Sequence, residues 1–91
     1  MLNLRDLLCF ISVYESRGFS RAADMLDMVQ SLVSTRIQRL EEFVGGPLFL
    51  RTRHGVLPTT RGEVLYQHAK RVIRDVAELE SAVKVRDAAS L

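Results

Sequence analysis

The chain has 91 residues, 47% of them apolar and 26% charged, with a net charge of +2, which suits one domain with a modest core. No apolar run nears the roughly 20 residues needed to span a bilayer, so a membrane-spanning role is excluded by composition. The first residues, Met1 to Asp6, lack a secretory signal layout, and the single cysteine, Cys9, excludes an internal disulfide framework and fits a reducing cytoplasm.

In chain order, Asn3 can cap a first helix, with Asp6 near the positive end of its dipole. Leu4, Leu7, Leu8, Ile11 and Tyr14 recur at helical spacing, and Gly18 reads as a left-handed stop. Cys9 on this helix reads as a small core-side residue rather than a redox sensor. Ser20 then reads as the N-cap of a short second helix, Arg21 to Leu26. Its Ala22 and Ala23 allow another helix to approach closely. Asp27-Met28-Val29 forms a three-residue turn. Val33, Ile37, Leu40 and Val44 make one apolar stripe on a third helix from Gln30 to Val44. Gly45-Gly46-Pro47 ends it.

Two short apolar runs follow, Leu48-Phe49-Leu50 and Val56-Leu57. With the Arg51 to Gly55 loop between them they predict a hairpin, and Pro58 fits a strand end. Thr59 or Thr60 caps a long helix, and Thr60 with Glu63 has capping-box spacing. Leu65, Ala69, Val72, Val76, Leu79 and Val83 alternate steps of four and three, a coiled-coil seam that implies a homodimer. From Thr60 to Arg86 this helix would measure ~40 Å. Asp87 to Leu91 is expected to fray.

Two helices joined by a three-residue turn make a helix-turn-helix, whose corner Met28 or Val29 can plug. The following hairpin makes it winged. The expected fold is therefore mainly α: a winged helix-turn-helix of three helices plus a two-stranded wing, followed by a long linker helix. Residues 1–59 form the reading domain, 60–87 the linker and dimerisation helix, and 88–91 a frayed end.

With the apolar stripe inward, Ser31, Thr35, Gln38 and Arg39 point outward on the third helix, and Ser34 and Leu32 flank them. Gln30 stands at its start. Hydroxyls and amides suit base edges, and no lysine or glutamate occurs from Gln30 to Thr35. Ser20 and Arg21, at the start of the second helix, can meet phosphates. Arg51, Arg53 and His54 sit on the wing. Residues 49–74 carry six basic side chains against one acid, Glu63, which suggests a local anionic partner. Double-stranded DNA is the expected partner. The alternative left open is a winged-helix module for protein interaction and dimerisation without specific DNA binding. No enzyme is expected, because Cys9, His54 and His68 show no catalytic or metal-binding spacing and no glycine-rich phosphate loop occurs. No cofactor and no metal are expected.

Phe10, the run Gly18-Phe19-Ser20-Arg21-Ala22-Ala23, Leu26, Gln30, Val33-Ser34, Ile37, Leu40-Glu41, Gly45, Leu48-Phe49, Arg51, Thr59, Gly62 and Ala69 carry a resemblance. On these residues the chain resembles the N-terminal DNA-binding domain of LysR-type bacterial transcriptional regulators, from Leu4 to about Val83. The resemblance implies that the third helix enters the major groove and the wing the minor groove, with Arg53 near the wing's tip. It implies antiparallel pairing of linker helices in a homodimer on a pseudo-palindromic operator, and leaves a tetramer open for a full-length form. It implies a larger C-terminal domain binding a small effector, so the chain is expected to be an excised or truncated module. The chain departs from the family in three places. Val29-Gln30-Ser31 replaces serine, glutamine, proline, leaving Ser31 or Asp27 to cap the third helix. Thr35 replaces a frequent arginine, with Arg36 rotated ~100° from it. Pro58 replaces the leucine before the wing threonine.

Overall fold

A computed structural model describes residues 1–89, and their side chains as far as Lys84. The elements are α1 (Leu4–Ser16), α2 (Phe19–Leu26), α3 (Gln30–Val44), β1 (Phe49–Thr52), β2 (Gly55–Pro58) and α4 (Thr60–Ala89). Helix α4 thus runs past Arg86 and includes Ala88 and Ala89, where fraying was expected. Residues 90–91 lie outside the described residues.

The helix ends explain where the chain turns. Asn3 accepts the Arg5 N–H at 2.8 Å, as its cap position predicts. The stop of α1 is a different residue from the one expected. Arg17, not Gly18, takes the left-handed conformation, with φ 61°. That conformation costs a non-glycine residue roughly 1–2 kcal/mol, and three contacts hold it. Its N–H bonds the Val13 carbonyl at 2.8 Å, its carbonyl accepts the Val56 N–H at 3.1 Å, and its guanidinium lies 4.6 Å from the Tyr14 ring centroid. Gly18 is extended and precedes α2, which starts at Phe19, so Ser20 sits inside the first turn and is not the cap.

Helix α2 closes at Asp27 with φ 56°, and α3 starts after Val29, which supplies no side-chain cap. Neither Ser31 nor Asp27 fills that role: Ser31 is already helical, and Asp27 terminates the preceding helix. Gly45, at φ 86°, ends α3 as predicted. Thr59, not Thr60, caps α4. Its Oγ1 accepts the Gly62 N–H at 3.0 Å and donates to the Pro47 carbonyl at 2.7 Å.

The core forms where α1, α2, α3 and the first turns of α4 meet the base of the wing. Phe10, Val13, Ala22, Val33 and Leu48 are completely buried there. Ala22 and Ala23 are both buried, so α2 packs closely, as their lack of bulk predicts. Phe49 anchors the wing, with its ring centroid 5.2 Å from that of Phe10 and 6.2 Å, edge on, from that of Phe19. The strands pair antiparallel, Leu50 opposite Leu57 and Thr52 opposite Gly55. Met28 plugs the corner of the turn, half-buried, with its Sδ 4.0 Å from Cys9 Sγ, while Val29 stays in solvent. Cys9 is buried, and burial pushes its thiol up, away from the reactive thiolate.

Candidate nucleic-acid interface

Six of the residues singled out in the sequence converge on one cleft. Ser20, Arg21, Gln30, Arg51, Arg53 and His54 line a cleft of ≈ 580 Å³ between the starts of α2 and α3 and the wing. Arg17 lines it too. Four arginines therefore line this cleft, and no acidic residue does. Such a concentration of one sign attracts an anion and resists a cation. Sequence reasoning missed Arg17, because its place follows from the left-handed turn and the wing contact rather than from any local pattern.

Several of these cations are held in position. Arg51 lies 4.3 Å from the Phe19 ring centroid, a cation–π contact that orients it beside the base of the wing. Arg21 donates to the Ser16 carbonyl at 2.8 Å. At the tip, Thr52 Oγ1 donates to the Gly55 carbonyl at 2.9 Å and accepts the His54 N–H at 3.2 Å, which shapes the turn carrying Arg53 and His54. Both tip side chains are exposed. Gly55 has φ 129°, and a Cβ there would stand 2.4 Å from the Arg17 carbonyl oxygen, so the wing lies directly against the α1–α2 corner.

A second cleft of ≈ 420 Å³ separates α3 from β1, and Ser34, Gln38 and Arg51 border it. Ser31, Leu32 and Thr35 border neither cleft; they stand exposed on the outer side of α3. The Thr35 hydroxyl donates to the Ser31 carbonyl at 2.9 Å, so its proton is committed to the helix. Arg39 stands outward as expected, its side chain 54% exposed, with its Nη1 also 3.6 Å from Asp6 Oδ1. Arg36, beside Thr35, is not on the outer face at all. Its Nη1 bonds Asp6 Oδ1 at 3.0 Å, and the pair ties α3 to α1. Glu41 is also structural, accepting the Leu48 N–H at 2.8 Å.

The seam on α4 divides. Ala69 is buried and Leu65 half-buried against the domain's own core, together with Tyr66 and Ile73. Val72, Leu79 and Val83 remain exposed, and Val76 is half-buried. The root of α4 is fixed by polar contacts as well. Tyr66 stacks on Tyr14 with ring centroids 3.7 Å apart, donates its hydroxyl to Glu15, and Lys70 Nζ stands 3.1 Å from the same carboxylate. The bond to Glu15, aided by burial, pushes the Tyr66 hydroxyl up to about 12. The same bond, with Lys70 beside it, holds the Glu15 carboxyl below its ordinary value.

Among the described residues, no group of three or more His, Cys, Asp or Glu side chains could hold a metal, and no helix is long and apolar enough to cross a membrane.

The model for bacterial regulatory helix-turn-helix proteins of the lysR family matches residues 4–63. The chain belongs to the LysR family. Among its LysR-type relatives, the nitrogen assimilation regulatory protein nac of Klebsiella aerogenes is 33% identical over 82 residues, 90% of this chain. The transcriptional regulator DgdR of Burkholderia cepacia is 46% identical over 70 residues, 76% of this chain. The chain spans 27% and 24% of the length of these two regulators. Among solved structures, the BenM DNA-binding domain in complex with catB site 1 DNA superposes with a TM-score of 0.87 at 36% identity, covering 91% of this chain and 93% of that one. The CbnR DNA-binding domain in its DNA complex gives 0.84 at 28% identity, covering 97% and 99%. The LysR-type winged helix is thus the fold of this chain.

Proposed function

We infer that this chain is the DNA-reading end of a bacterial transcriptional regulator, binding double-stranded DNA sequence-specifically. The observation that carries the reading is the cleft between the starts of α2 and α3 and the wing, lined by four arginines and no acidic residue. The BenM and CbnR domains, solved in DNA complexes, have the same fold.

In this reading α3 lies in the major groove. Gln30, Ser31, Ser34 and Gln38 meet base edges there, because short polar groups let the helix approach and can both donate and accept, while Leu32 and the Thr35 methyl offer apolar contact. Ser20 and Arg21 meet the phosphate backbone, with the positive end of α2 adding to the attraction. Arg51 meets a phosphate from its seat on Phe19, and Arg39 meets one on the opposite flank. Arg53 and His54 follow the minor groove, where an arginine gains from the enhanced negative potential of narrow A·T tracts.

Residues 1–59 are the reading head and 60–87 the linker and dimerisation helix. Val72, Val76, Leu79 and Val83 pair with a second copy, in line with Leu65 and Ala69 at the helix root, to give a homodimer on a pseudo-palindromic operator. A tetramer and a small effector belong to a longer form with a C-terminal domain. The reading places the protein in the cytoplasm and assigns it no catalysis.

The test is a gel shift of duplex DNA across a salt series. Arg21, Arg51 and Arg39 on each protomer, about six phosphate contacts in a dimer, set a slope of roughly −5 for log affinity against log salt. A chain that dimerises yet leaves duplex unshifted at low salt would be a protein-pairing module instead.

A further inference from the structure

The end of α3 that enters the groove in the reading above carries two apolar side chains left in solvent. Val29 is 67% exposed and Leu32 38%. Val29 holds the N-cap position without a side-chain cap. A valine there forgoes the hydrogen bond that serine would supply to the first amides of the helix. It gains little packing in return. Within the domain, then, Val29 weakens the helix start and offsets little of that loss. The Leu32 N–H bonds the Val29 carbonyl at 3.1 Å, which places the two one turn apart on neighbouring positions. Thr35 lies a further turn on with its hydroxyl proton bound to Ser31, so its methyl extends the apolar strip.

The thymine C5-methyl is the largest apolar group that base edges present in the major groove of B-DNA; only small C–H edges such as cytosine C5–H accompany it among the donors and acceptors. We propose that Val29 and Leu32 form a methyl clasp that selects thymine beside the base pair read by Gln30. The inference rests on the DNA-binding reading and deepens it. Operator choice is then made by a hydrocarbon contact as well as by hydrogen bonds, and this contact adds nothing to the salt dependence.

The test uses duplexes selected by the chain from a random pool. Each thymine of the selected half-site is replaced singly by deoxyuridine, which keeps every hydrogen-bonding group and lacks only the methyl. The expected result is binding weaker by roughly three- to fivefold at one or two positions per half-site, the worth of one buried methyl-sized group, with an unchanged salt slope. Val29→Ser should melt no lower than the parent, because serine restores the cap, and should still shift duplex. It should bring the thymine-to-uracil ratio close to one at one of those positions. Leu32→Ala should do the same at one of them. Uracil binding as well as thymine at every position, or either variant keeping every ratio, would overturn the clasp while DNA binding stands. If the pool yields no duplex bound in a salt-dependent way, the DNA-binding reading fails and the clasp falls with it.

Discussion

Removing the Asp6 carboxylate should cost the domain about 3–5 kcal/mol, the usual penalty for breaking a buried ion pair from one side. Asp6 is 1% exposed, and its Oδ1 lies 3.0 Å from Arg36 Nη1. The Arg36 side chain is 16% exposed, and its Nε has no hydrogen-bond partner. Asp6→Ala would therefore strand a guanidinium largely out of water. Arg39 also faces Asp6, but at 3.6 Å and 54% exposed it contributes at most about 1 kcal/mol. Nearly all of the loss falls on Arg36. A domain of this size has about 5–15 kcal/mol of stability in total, and each kcal/mol moves its melting midpoint by roughly 4–8 °C. Urea unfolding followed by far-ultraviolet circular dichroism measures the change. Asp6→Ala combined with Arg36→Met should recover most of it, since the stranded charge is gone. A single-variant loss below about 1 kcal/mol, or a double variant no better than the single, would refute the reasoning.

Gln30→Ala should relax base choice at one position per half-site, by about 1–3 kcal/mol for a lost bidentate pair, with little change in salt slope; equal weakening on all single-base operator variants would make Gln30 a backbone contact. Leu79→Glu, at a site 63% exposed in the monomer, should abolish dimers in sedimentation while leaving the helical signal and melting of the reading head in place. Gly62→Ala would elsewhere strengthen a helix by up to about 1 kcal/mol. Here a Cβ would stand 2.3 Å from the Leu48 carbonyl oxygen, so thermal melting should show a loss of about 1–3 kcal/mol. The Tyr66 hydroxyl is raised from 10.0 to about 12, so its contribution to stability is whole below pH 10 and is lost as pH rises towards 12. Tyr66→Phe should remove that alkaline limb from the plot of melting temperature against pH.

The elements set by local pattern are legible in the amino-acid sequence alone. The stripe Val33, Ile37, Leu40 and Val44 places α3, because a 3.6-residue period is written in adjacent residues, and Gly45 with Gly46 marks its C-terminal end. The hairpin follows from its two apolar runs and Gly55 in the same way. What the sequence hides depends on distant partners. Arg17 displaces Gly18 as the left-handed residue because Tyr14 and Val56 reward it there. Arg36 turns inward because Asp6, 30 residues earlier, is buried opposite it. Ala69 fits the dimer seam by spacing, yet the domain's own core claims it, and Tyr66 finds Glu15 across 51 residues. Of the residues chosen for base and phosphate contact, those gathered at the cleft are recognisable by residue type. Arg17 is not, because its place follows from tertiary structure alone.

The bond from Val56 to the Arg17 carbonyl leaves no room for a side chain between Gly55 and that oxygen. Wing and corner are one piece, and α3 is tied to the same α1 through Asp6. In the proposed reading α3 and the wing are aimed at different grooves, and they therefore stand at a fixed distance, like the jaws of a caliper. When base steps overwind or underwind a duplex, one groove slides along the axis relative to the other, and fixed jaws no longer close on both. Such a tool measures pitch. It would sort operators by the twist of base pairs that it never touches, and a supercoiled plasmid and its relaxed form would not be the same ligand.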